Sequence, residues 1–136
     1  MMKYAKIILL LCLTCFIFTG CEDKETGILF NKEPITKDNV LNASRTFEAG
    51  QRIYYLFYTS KKINREFIRI QVFKAEKNSH VGGYAIVWTQ DNRVMKDNDY
   101  YYYNYFVLHN PGKYVMQIFG LDDLSKPLAW NYFYVN

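Results

Sequence analysis

From residue 44 onward, hydrophobic and polar positions follow a two-residue period rather than a helical one. Seven short runs rich in Tyr, Phe, Ile and Val span 45–48, 52–58, 67–75, 84–89, 100–108, 113–119 and 128–135. Turn-forming residues separate them, among them Ala49-Gly50, Asn64, Asn78-Ser79, Asp97-Asn98, Asn110-Pro111-Gly112 and Asp122-Asp123. In the third run Ile68, Ile70 and Val72 share a face opposite Arg69 and Gln71. In the sixth, Tyr114, Met116 and Ile118 oppose Lys113 and Gln117. Such alternation is that of half-buried strands with one wet face. The second run, Ile53-Tyr54-Tyr55-Leu56-Phe57-Tyr58, is apolar on both faces. It reads as a central strand whose outer face is covered by aromatic neighbours. Strands of this length and spacing predict an all-β sandwich of about seven antiparallel strands.

Residues 22–39 are mostly polar, except for Ile28-Leu29-Phe30. Residues 22–27 read as a flexible tether, 28–30 as a candidate first edge strand, and 38–42 as a single helical turn opened by Asp38, a good N-cap. The predicted organisation is a segment 1–20 before the domain, a tether at 21–43, and the sandwich at 44–136.

The beginning of the chain has a different pattern. Lys3 and Lys6 precede an apolar run from Ile7 to Phe18, relieved only by Thr14. A basic stretch followed by about a dozen apolar residues is a secretory signal. The run is short for a membrane span, which needs about 20 apolar residues. It ends Phe18-Thr19-Gly20-Cys21. This ending resembles the lipobox of bacterial lipoproteins, with Phe18 in place of the usual Leu. The resemblance implies cleavage after Gly20 and diacylglyceration of Cys21 on sulfur. The cysteine pattern agrees. Cys12, Cys15 and Cys21 are the three cysteines, so the mature domain has no pair to form a disulfide, although its compartment permits one.

Composition excludes several classes. Half the residues are hydrophobic and 7 Gly and 3 Pro are present, so neither collagen nor Gly/Pro-rich disorder applies. The formal net charge is +4, and removing residues 1–20 with Lys3 and Lys6 leaves 15 basic against 13 acidic residues. A nearly neutral domain is not a nucleic-acid binder.

Asn110-Pro111-Gly112-Lys113-Tyr114 resembles the corner of immunoglobulin-like domains, where a Gly turn leads to a tyrosine entering a strand. The resemblance implies that Tyr114 bonds backbone a few residues upstream. An incidental tyrosine after a plain hairpin turn is the other reading. The inter-sheet cysteine pair of antibody domains is absent, so the resemblance is to the broad sandwich architecture.

Little in the chain points to catalysis. His80 and His109 lie at loop edges, without neighbours at metal-ligand spacing. Gly82-Gly83 lacks the Lys-Ser/Thr of a phosphate loop and reads as a turn or bulge. Asp91-Asn92, Asp97-Asn98-Asp99 and Asp122-Asp123 offer oxygen, but the EF-hand pattern is missing and Asp and Asn are ordinary turn residues. No catalytic residue, metal site or cofactor is assigned. The unusual stretch is Tyr100 to Phe106, in which Tyr101, Tyr103 and Tyr105 share one face of a strand. A row of exposed tyrosines offers large contact area with few torsions; high β-propensity alone accounts for the same row. Trp88, Trp130, Tyr132 and Tyr134 either extend that face or fill the core.

The expected function is a non-enzymatic binding or envelope-assembly module, lipid-anchored to a bacterial membrane. Its partner is expected to be an envelope or host protein or a glycan, not nucleic acid. The alternative is a small-ligand carrier or envelope enzyme whose site is not evident from sequence. If Cys21 carries the lipid, Cys21→Ser abolishes incorporation of labelled palmitate and leaves an unprocessed precursor. A normally processed, soluble product from that variant would contradict the assignment.

Overall fold

The alternating runs pair into two sheets that bury their apolar faces against each other. The computed structural model describes residues 26–76, 83–95 and 99–136. Among them are eight strands: β1 Thr26–Asn31, β2 Thr46–Phe47, β3 Arg52–Thr59, β4 Phe67–Ala75, β5 Tyr84–Arg93, β6 Tyr101–Val107, β7 Gly112–Gly120 and β8 Ala129–Val135. One sheet has the order β1-β3-β6, the other β2-β8-β7-β4-β5. All neighbours are antiparallel except the short β2, which runs parallel to the end of β8.

The candidate edge strand at 28–30 is the centre of a longer one. Residues 26–31 form β1, at the edge of its sheet, and pair with β3 from Thr26 opposite Thr59 to Asn31 opposite Tyr54. This pairing sends Ile28 and Phe30 into the core. Residues 38–42 form a turn rather than a helical turn capped by Asp38. Asn39 organises it, accepting from the Thr36 N–H at 2.8 Å and donating to the Pro34 carbonyl at 2.8 Å.

Aromatic rings hold the core together. Phe133 of β8 lies 4.8 Å from Phe30, 5.7 Å from Phe106, 5.5 Å from Tyr114 and 6.0 Å from Phe47, between ring centroids. Those partners come from β1, β6, β7 and β2, so one side chain touches both sheets. Ile53, Tyr55 and Phe57 of β3 face Ile68, Ile70 and Val72 of β4 and Met116 and Ile118 of β7 within the same buried cluster. Burial pushes the Tyr55 phenol well above its ordinary pKa.

Tyr114 is buried beside Phe133, and its hydroxyl donates to the Asn110 carbonyl at 2.5 Å. The bond ties the turn before β7 to the strand that follows it. Another turn, at 48–51, places Gly50 at φ 81°, a left-handed conformation that favours glycine. The Gly50 N–H donates to the Leu108 carbonyl at 2.8 Å, joining this turn to the end of β6.

The two long sides of the sandwich differ. On one, β1 and β8 are stitched together by side chains. Thr26 donates through Oγ1 to the Leu128 carbonyl at 2.6 Å, and Asn131 donates through Nδ2 to the Ile28 carbonyl at 2.7 Å. On the other side, β5 and β6 are free edges, and Trp88 fills the gap by stacking on Phe106 at 5.3 Å. A register shift opposite Val72/Phe73 pairs Val72 with Trp88 and Phe73 with Ile86, leaving Val87 as an extra residue in β5. The bulge turns Trp88 inward while Ile86 and Val87 face solvent.

Two substitutions test this account. Phe133→Ala opens a void at the meeting point of five strands and costs about 3–5 kcal/mol. Tyr114→Phe keeps the ring and loses one hydrogen bond, costing about 0.5–1.5 kcal/mol. Denaturant unfolding followed by circular dichroism measures both. Equal losses from the two would contradict the weight placed on ring packing.

Candidate functional site

Pairing of β6 with β3 determines which tyrosines face water. Tyr101 lies opposite Tyr58, Tyr103 opposite Leu56 and Tyr105 opposite Tyr54. All six occupy the outer face of the three-stranded sheet. Tyr101, Tyr103 and Tyr105 are exposed, Tyr103 most at 58%. Tyr102 and Phe106 point the other way and pack against the core.

The face is ordered by contacts between rings. Tyr101 and Tyr103 stack at 6.3 Å with an interplanar angle of 18°. Tyr54 and Tyr105 lie 5.5 Å apart, and the Arg52 guanidinium sits 4.8 Å over the Tyr105 ring. Leu29 and Leu56 form a half-buried floor. The rings are therefore held in place before any partner arrives, which lowers the entropic cost of using them.

The edge of this face has its own closure. Tyr100 and Leu108 accept bonds from β3 and its preceding turn, so the intervening odd residues of β6 turn their backbone groups away from β3. The outward N–H of Tyr105 donates to the side-chain oxygen of Asn104 at 2.8 Å. Asn104 also donates through Nδ2 to the Tyr102 hydroxyl at 3.2 Å.

Trp130, Tyr132 and Tyr134 do not extend the tyrosine row. They lie on the outer face of the five-stranded sheet, with Trp130 62% exposed. Trp88 belongs to the packing between sheets. Beside Trp130, a groove of about 680 Å³ runs between β1 and β8, bordered by Arg45, Tyr58, Lys126 and Tyr132. Its residues are scattered through the chain, and no local motif announces them.

The remaining candidate groups are engaged locally or lie elsewhere. Asp91 accepts from the Nε and Nη2 groups of Arg69, at 2.7 and 2.9 Å, and this pairing holds its carboxyl below the ordinary range. Asp123 accepts from the Ser125 hydroxyl and N–H, which lowers its pKa in the same direction. Asp122 is bonded to Arg65. Among the described residues, no group of three or more His, Cys, Asp or Glu side chains is placed to hold a metal. His109 is exposed just beyond β6. Cys21, His80, Gly82 and Asp97-Asn98 lie outside the described residues.

The sequence matches no family model and no curated protein. Solved structures similar to it include three that span most of both chains. One is the soluble domain of PmoD from a Methylocystis species, at 12% identity, covering 82% of this chain and 90% of that one, with a TM-score of 0.49. Another is an immunoglobulin-like protein from Pseudomonas aeruginosa, at 10% identity, with the same coverages and a TM-score of 0.46. A superoxide reductase (neelaredoxin) from Ignicoccus hospitalis is 8% identical over 83% of this chain and 82% of its own, with a TM-score of 0.46. The chain itself folds as an all-β sandwich of two sheets. At these identities the likeness concerns the fold alone.

The two tryptophans separate core from surface in one experiment. Trp88→Ala removes a ring stacked between the sheets and costs about 2 kcal/mol or more, whereas Trp130→Ala stays within about 0.5 kcal/mol. Chemical unfolding of the two variants, with tryptophan emission as a second readout, checks the difference. A larger loss from Trp130→Ala would mean that its ring is a packing element.

Proposed function

We propose that this protein is a non-enzymatic binding module, lipid-anchored through Cys21 to a bacterial membrane. It presents the outer face of its three-stranded sheet to a protein of the cell envelope. The observation that carries the reading is the ordered, exposed row Tyr101, Tyr103 and Tyr105, backed by Tyr54, Tyr58 and the half-buried leucines. Tyrosines combine apolar contact with a hydroxyl at the tip and few torsions to freeze, which suits a protein interface. Arg52, held over Tyr105, adds a cation at one end of the row. The envelope location rests on the lipobox-like ending at Cys21.

Replacing Tyr101, Tyr103 and Tyr105 together with Ser tests the face. Because the three side chains point to solvent, the melting temperature is expected to stay close to that of the parent chain. Capture of the partner by cross-linking in native membranes is expected to fall sharply, since hot-spot tyrosines contribute about 2 kcal/mol or more. A collapsed melting temperature would assign the row to packing. Undiminished capture by a well-folded variant would place the interface elsewhere.

A further inference from the structure

The groove between β1 and β8 has a chemistry unlike the tyrosine face. Arg45 and Lys126 border it, and none of the described residues that line it is acidic. Several cations elsewhere on the domain are paired: Lys62 with Asp99, Arg65 with Asp122, Arg69 with Asp91 and Arg93 with Glu66. Among the described residues, Arg45 and Lys126 form no ion pair, nor does Lys113 nearby. Arg45 instead lies 4.4 Å over the Tyr132 ring, and the Lys113 ammonium is 5.3 Å from the same ring. Arg45, Lys113 and Lys126 thus lie at or beside the groove with no carboxylate partner among the described residues.

The walls of the groove are built in advance. Asn131 spends both ends of its amide locally, donating to the Ile28 carbonyl at 2.7 Å and accepting from the Tyr132 N–H at 2.9 Å. Thr26 is fixed to Leu128. Gly27 leaves room for Tyr58 to lie across β1, since a Cβ there would stand 2.3 Å from the Tyr58 hydroxyl oxygen. Trp130 presents a broad, flat indole at the rim.

We propose that this groove binds an acidic polysaccharide, with uronate carboxylates held by Arg45 and Lys126 and a pyranose ring laid on Trp130. Charge complementarity selects an anion. The exposed indole selects a ligand with a flat apolar face, which a sugar ring has and an aspartate or glutamate chain lacks. The site shares Tyr58 and Leu29 with the tyrosine face but none of Tyr101, Tyr103 and Tyr105, and does not depend on a protein partner or on lipidation.

The test is calorimetric titration of the full-length chain in detergent with alginate oligosaccharides. Cello-oligosaccharides serve as the neutral control and poly-glutamate as the acidic peptide control. Expected is saturable alginate binding that weakens with added salt and exceeds binding of both controls. Arg45→Ala with Lys126→Ala, and separately Trp130→Ala, each weaken it about tenfold or more. Gly27→Ala, which drives Tyr58 out of the groove, weakens it as well. The Tyr101, Tyr103 and Tyr105 triple Ser variant binds alginate like the parent, so failure of the face and failure of the groove are distinguishable. Circular dichroism confirms that each variant is folded. The proposal is overturned by no saturable alginate binding, by equal binding of either control, or by folded groove variants that bind undiminished. A variant with Glu22→Gln, Asp23→Asn and Glu25→Gln that alone binds alginate would also overturn it, because the chain's own acidic residues would then be the occupant.

Discussion

The Phe133 ring is the point on which both sheets close. It is carried by β8, yet its neighbours come from β1, β2, β6 and β7. A domain with no disulfide among its described residues must obtain its cohesion from burial, and large rings supply more buried area per residue than aliphatic side chains do. The near-parallel stack of Tyr114 on Phe133, at 11°, also places the tyrosine hydroxyl where it meets the Asn110 carbonyl. Core packing and turn geometry are therefore coupled through a single residue.

That coupling frees the surfaces. With Phe30, Phe47, Tyr55, Phe57, Phe106, Tyr114 and Phe133 buried and Trp88 and Tyr102 packed against them, the exposed aromatics are not required for cohesion and can face water. They divide between two outer faces. The three-stranded sheet carries an almost uncharged tyrosine row with Arg52 at its end. The five-stranded sheet carries Trp130 and Tyr132 beside cations that have no carboxylate partner. Tyr58 is the one ring shared between them, because glycine at position 27 lets it cross the edge strand.

Alternation revealed some of this and concealed the rest. Ile68, Ile70 and Val72, and Tyr114, Met116 and Ile118, are inward as the two-residue period says, because their strands are regular where those residues lie. The period also separates Tyr101, Tyr103 and Tyr105 from Tyr102 and Phe106. It shows only the apolar triplet of β1 and not its full extent from Thr26 to Asn31, which pairing with β3, far along the chain, defines. Nor can it place Trp88, since the extra residue Val87 shifts the phase within β5. The groove was illegible for a related reason. Residues 27, 45, 58, 126 and 130 meet only when the edges of two sheets are brought together.

Asn104 and Asn131 occupy comparable positions on different sheets. Each folds its side-chain oxygen back onto the N–H of the residue that follows, Tyr105 in one case and Tyr132 in the other. On β6 this matters because the strand contains no charged residue and no proline, the usual guards against a neighbour adding itself to an open edge. A second chain sliding alongside would find the donor at Tyr105 already taken and would have to break an internal bond to continue the ladder. The amide thus acts as a stopper in the seam. It favours approach to the tyrosines from the front and discourages growth from the side, so crowded copies can display exposed rings without knitting into a continuous sheet.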